Sequence, residues 1–144
     1  MIKAQNTADI SGISSMRGNR TQGRADGLRR DVARALFVMD LVALATGVPA
    51  AQIRSATRGQ ARAARARQVA MYLAYVSFEW PLARIGAAFG RDRTTAGYAC
   101  RLVEDLRDDR AFDIRLEHLE TCLKSAPDPF DVKLLGTNLT EMVA

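Results

Sequence analysis

The sequence predicts an all-α fold, a helical domain of about six helices that contains a helix-turn-helix. Three observations carry this. Apolar residues recur at steps of three and four, and no alternating strand pattern of useful length interrupts them. Gly47, Val48-Pro49, Trp80-Pro81, Gly90, Pro127 and Pro129 fall where helices should stop or restart. Two short predicted helices flank Gly90, and the second opens Asp92-Arg93-Thr94-Thr95, a polar first turn behind a capping residue.

The elements follow in order. Residues 1–25 are rich in Ser, Thr, Asn, Gln and Gly and hold Arg17, Arg20 and Arg24. They read as a basic, disordered arm. The domain is expected over 26–124. Its first helix starts near Asp26 with the stripe Leu28, Val32, Ala35, Leu36, Met39 and Val42, and stops at Gly47. A short helix from Pro49 to about Ser55 carries Ile53 inward. Arg54, Arg58, Arg62, Arg65 and Arg67 then form a basic loop, 54–67, that meets no acid. Alanines favour helix beyond Gly59, and Ala66, Val69, Ala70, Leu73 and Val76 give a buried stripe up to Ser77. Residues 82–89 form the next helix, with Leu82, Ile85 and Phe89 on one face. Asp92 caps the longer helix of about 92–107, whose stripe is Ala99, Leu102, Val103 and Leu106. A last helix runs from about Phe112 to Leu123, and 125–144 is expected as a tail.

Charge narrows the function. The 144 residues carry 21 Lys+Arg against 16 Asp+Glu, a formal charge of +5. Residues 1–100 hold 15 basic and 6 acidic residues, and 101–144 hold 6 and 10. A basic stretch beside an acidic one suggests a polyanion for the first. Eighteen of the basic residues are Arg, whose planar fork fits phosphates and guanine edges. No apolar run approaches the ~18–20 residues of a membrane span, and no secretory signal opens the chain. A cytoplasmic, nucleoid-associated location is therefore expected. Cys100, Cys122 and the lone His118 lack metal-ligand spacing, so no metal or other cofactor is expected and both thiols read as reduced and buried. Glu104, Asp105, Asp108 and Asp109 read as a solvated face rather than an acid/base pair. Nothing in the pattern points to an enzyme.

The linked motifs are more specific than any one of them. Arg67-Gln68-Val69-Ala70-Met71-Tyr72-Leu73 precedes Leu82-Ala83-Arg84-Ile85-Gly86-Ala87-Ala88-Phe89-Gly90. Arg91-Asp92-Arg93-Thr94-Thr95 and Ala99-Cys100-Arg101 follow. Over about residues 30–122 this series resembles the C-terminal DNA-binding domain of the bacterial replication initiator DnaA. The fold implied is the helical domain of the Trp-repressor and DnaA C-terminal type. The resemblance implies a minor-groove arginine in the basic loop. Gly59 stands near that arginine's register, which leaves Arg58 or Arg62 to replace it. It further implies DNA contact by Arg67 and Gln68, and major-groove reading and phosphate contact by Arg91, Asp92, Thr94 and Thr95. Arg93 replaces the family's His and can read guanine bidentately. Tyr98 either touches DNA or packs. A single Gly90 stands for Gly-Gly, Ala66 for Pro and Arg84 for an acid, so a different preferred site is expected. Gly97, in the recognition helix, is expected to allow close approach of backbone to DNA.

The candidate DNA-binding set is thus Arg54, Arg58, Arg62, Arg65, Arg67, Gln68, Arg91, Asp92, Arg93, Thr94, Thr95 and Tyr98. No GxxxxGK[ST] occurs, so no nucleotide is expected and the DNA-reading module is expected to stand alone. The expected function is sequence-specific binding of double-stranded DNA in transcription or replication control. The alternative is a protein-interaction adaptor with a degenerate DnaA-like fold, holding a protein partner through its acidic C-terminal helices.

Overall fold

Residues 11–55 and 60–144 are described in this computed structural model, with side chains at 20–55, 60–132 and 139–144. They form helices α1 (Ser11–Thr46), α2 (Ala50–Arg54), α3 (Ala61–Ser77), α4 (Leu82–Phe89), α5 (Arg93–Leu106), α6 (Arg110–Ser125) and α7 (Pro129–Val143), with no strand among them. The fold is all-α, as the periodicity predicts.

Local chemistry explains the boundaries. Gly47, at φ 72°, ends α1 and donates its N–H to Ala43 O at 2.9 Å. Pro49 caps α2 and Pro81 caps α4, since a fixed φ suits a helix start. Asp109 caps α6 by accepting from Phe112 N at 2.9 Å. Between α3 and α4 the chain turns through Glu79, at φ 54°, which costs on the order of 1–2 kcal/mol for a residue with a Cβ. Trp80 follows it, 2% exposed, with its ring centroid 5.1 Å from that of Phe78. Burial of that indole holds the strained turn in place.

Two expectations need correction. The arm and tail are both helical where described. Helix α1 begins at Ser11, so 11–25 extends the first helix; residues 1–10 lie outside the described part. Residues 20–30 are mostly exposed and have no buried stripe. Once the packed half of α1 has nucleated, adding turns costs little, and local bonds such as Gln22 Nε2 to Asp26 Oδ1 at 3.2 Å assist. The second correction is α7. Pro129 lies in its first turn, not beyond a helix end, and Asp128 accepts from Phe130 N at 2.9 Å. Asp128 also accepts from Arg34 at 2.9 Å, and the Arg30 guanidinium lies 4.8 Å above the Phe130 ring. These contacts dock α7 on α1. Burial alone would raise the Asp128 pKa, but the Phe130 amide and Arg34 outweigh it and hold the carboxyl below its usual range.

The core is built around α3, which packs on α1, α2, α4, α5 and α6. Met71, Tyr72 and Leu73 meet Val38, Val42, Ile53, Ile85, Val103 and Leu116, all buried. Each large side chain so buried contributes roughly 1.5–3 kcal/mol. Leu28, expected in the stripe of α1, is exposed, and so is Tyr75. Cys100 is buried, and burial followed by the charge of Glu104 pushes its thiol up to about 11, so it stays protonated. Cys122 is exposed, contrary to the expectation of two buried thiols, because it lies on the outer face of α6.

One polar network crosses this core. Tyr72 Oη donates to Glu104, and Arg107 Nη1 donates to Tyr72 Oη at 3.2 Å. Arg107 also donates to Asp113 at 2.6 Å and Glu120 at 2.7 Å. The network joins α3, α5 and α6. Glu104 and Asp109 therefore do more than line a solvated face: one accepts from a buried phenol and the other caps a helix. Burial, then the bond to the Glu104 carboxylate, raises the Tyr72 pKa to about 12. A phenol held protonated by the fold stabilises it fully below the unfolded pKa of ~10, and that stability is lost as pH rises toward 12. Tyr72 should account for about 2–3 kcal/mol of the stability lost across that window in denaturant titration, a part of the drop that Tyr72→Phe removes. Equal alkaline loss in both proteins would rule out Tyr72 as its source.

No helix among the described residues is long and apolar enough to cross a membrane.

Candidate functional site

Helices α4 and α5, joined by Gly90, Arg91 and Asp92, form the helix-turn-helix. Its turn depends on two glycines. Gly90, at φ 64°, takes the left-handed position that ends α4. Gly86 lies where the returning chain crosses α4: Arg91 N donates to Gly86 O at 2.8 Å. A Cβ at Gly86 would stand 2.7 Å from Arg91 O. One glycine after Phe89 is therefore enough to close the turn.

The start of α5 is set by Asp92, whose carboxylate accepts from Thr95 N at 2.6 Å. That bond, with the Thr95 hydroxyl, holds the Asp92 carboxyl below its ordinary range despite full exposure. Asp92 is thereby committed to the helix start. Arg93, Thr94, Thr95 and Tyr98 are exposed around it, so Tyr98 does not pack into the core. Arg101 is exposed one turn beyond Tyr98, on the same side as Thr94. It was absent from the expected set, although its spacing of seven from Thr94 marks the same helix face. Gly97 is buried, and a Cβ there would meet Leu82 Cδ1 of α4 at 3.4 Å. It faces α4, not DNA, as the inward positions Ala96 and Cys100 beside it require.

The basic loop is tied to this turn through the end of α2. Arg91 Nη2 donates to Ser55 O at 2.6 Å. Arg67 Nε donates to Ile53 O at 2.7 Å and its Nη2 to Gln52 O at 3.2 Å. Arg67, expected at the DNA surface, is 8% exposed and turned inward. Burial first, and then the nearby Arg91 charge, lowers its pKa. The physical reason is the short α2, whose last carbonyls need donors and obtain them from two arginines. Arg67 and Arg91 thus place the entry of the loop beside the start of α5. Gln68 is half-buried behind Arg67.

The remaining loop residues diverge. Arg54 is exposed and pairs with Asp40 of α1. Arg62 is exposed and donates to Thr46 O, at the end of α1, at 3.1 Å. Arg65 is exposed on the next turn of α3. Arg58 and Gly59 lie outside the described residues. The site brings Arg91, Asp92, Arg93, Thr94, Thr95 and Tyr98 together at one helix start, with the basic loop entering from Ser55. Arg84 lies apart, paired with Asp31 through two bonds of 2.8 Å and stacked 4.6 Å from the Trp80 ring. Its bond to Asp31 raises its pKa.

Residues 37–103 match a family model described as the bacterial DnaA protein helix-turn-helix. Over that segment the chain is similar to the helix-turn-helix domain of bacterial DnaA. Two solved structures support this. A structure titled as a DNA replication initiation factor matches at a TM-score of 0.61 and 27% identity, covering 85% of this chain. A structure titled as replication initiator DnaA bound to AMPPCP and single-stranded DNA matches at a TM-score of 0.60 and 27% identity, covering 83% of this chain. The match spans 38% of the length of each of those proteins. The matched segment runs from the second half of α1 into α5, within the span of about 30–122 that the sequence motifs mark.

Proposed function

We propose that this chain binds duplex DNA at preferred sites, with α5 in the major groove and the basic loop on phosphates or in the adjacent minor groove. The observation that carries the reading is the cluster Arg93, Thr94, Thr95 and Tyr98, exposed at the start of a capped helix whose turn is anchored to the loop entry, with Arg101 exposed further along the same helix. Arg93 supplies a bidentate donor pair for guanine. The two threonine hydroxyls and the positive end of α5 suit phosphate. Asp92 and Arg67 act by positioning. Such a protein would regulate transcription, or occupy sites related to initiator boxes and so modulate replication.

The test is selection of bound duplexes from a random pool, followed by salt titration. A preferred site is expected, with log K falling steeply against log salt. Arg93→Ala should cost about 1–3 kcal/mol at that site and relax discrimination at one base position. A pool that enriches no sequence would sink the site-specific reading.

A further inference from the structure

Away from α5, the surface between the end of α1, the first half of α3 and the face of α6 forms an open groove of about 420 Å³. Its floor is apolar, with Val69, Phe112 and Leu119 among its lining residues. Its border is basic: Arg62 and Arg65 stand on α3, and Arg115 on α6. Arg62 is held there by its bond to Thr46 O at 3.1 Å. Arg65 and Arg115 form no ion pair among the described residues. Among the described residues, no carboxylate pairs with any of these three like charges around the apolar trough. Arg115 belongs to the net-acidic segment 101–144, so its position is not explained by a general basic bias.

We propose that this groove docks an acidic amphipathic helix of a protein partner. Charge complementarity selects acidic residues on the guest, and the apolar floor selects large aliphatic ones between them. From Arg62 to Val69 the groove follows two turns of α3, about 10 Å, which fits guest anchors spaced i, i+4 and i+7. A nucleic-acid backbone would engage the arginines and leave Val69, Phe112 and Leu119 without an apolar partner. The proposal does not rest on DNA binding by α5.

The test is an NMR titration of the full chain with a synthetic peptide of about four helical turns, carrying leucines at i, i+4 and i+7 among glutamates. Saturable shifts are expected at the amides of Arg65, Val69 and Leu119. Arg115→Glu should weaken the peptide about tenfold while leaving duplex DNA affinity unchanged. A peptide with lysine for glutamate should not bind. No shifts up to about 1 mM peptide would overturn the proposal. So would equal binding of the lysine peptide, shifts centred on α5, or shifts at these amides produced by a DNA duplex and not by the peptide.

Discussion

Replacing Gly86 with alanine is expected to lower stability by about 2–3 kcal/mol and to abolish site-specific DNA binding. The added Cβ would stand 2.7 Å from Arg91 O, 3.1 Å from the Asp92 carbonyl carbon and 3.2 Å from Asp92 O. All three atoms are backbone, so no side chain can rotate out of the way. Either α4 and the turn separate, or the Arg91 N to Gly86 O bond of 2.8 Å is lost. Both outcomes move Asp92, the cap of α5, and pull Arg91 from Ser55 O. Urea denaturation and a binding isotherm on the selected site check this. Gly97→Ala is the control, because its Cβ would meet only the end of Leu82 at 3.4 Å. It should be neutral or stabilising by up to ~1 kcal/mol. An unchanged midpoint for Gly86→Ala would refute the close-approach argument.

Arg107→Ala is expected to cost about 3 kcal/mol, a fall of roughly 5–10 °C in Tm. Burial alone would lower the Arg107 pKa, but the bonds to Tyr72, Asp113 and Glu120 outweigh it and raise it. The side chain is 20% exposed, and its carboxylate partners 33% and 18%, so solvent screens the network only in part. Truncation leaves Asp113 and Glu120 near Glu104 with no cation between them. Arg107→Met keeps most of the packed length and should show the same loss, since charge and hydrogen bonds set the cost. Calorimetry of both variants checks it; a fall confined to the alanine variant would assign the effect to packing.

Much of the fold was legible because punctuation and period agreed. Pro81, Gly90 and the stripe Leu82, Ile85, Phe89 define α4 residue for residue. The Asp92 cap was readable from type and position alone. Other features were set by distant partners. The docking of α7 depends on Arg34, 94 residues before Asp128, and no local pattern encodes that pair. Arg67 reads as one more member of a basic run. Its inward turn follows from carbonyls at the end of α2, a demand created 14 residues earlier. Arg101 was visible within its motif, but a helical wheel from Thr94, not motif matching, places it on the exposed face.

The central position of α3 has a consequence for motion. Its amides lie beneath helices on several sides, whereas α7 packs chiefly on α1 and the start of α1 is largely exposed. Opening is therefore graded along the chain. Fraying of the outer turns of α1 and α7 exchanges their amide hydrogens at little free-energy cost, while those around Leu73 exchange only when the whole domain unfolds. The helix-turn-helix leans on that slowest-exchanging segment through Ile85 and Val103. The helix-turn-helix is thus coupled to the last part of the protein to melt, and loss of the peripheral helices can precede loss of the proposed binding surface.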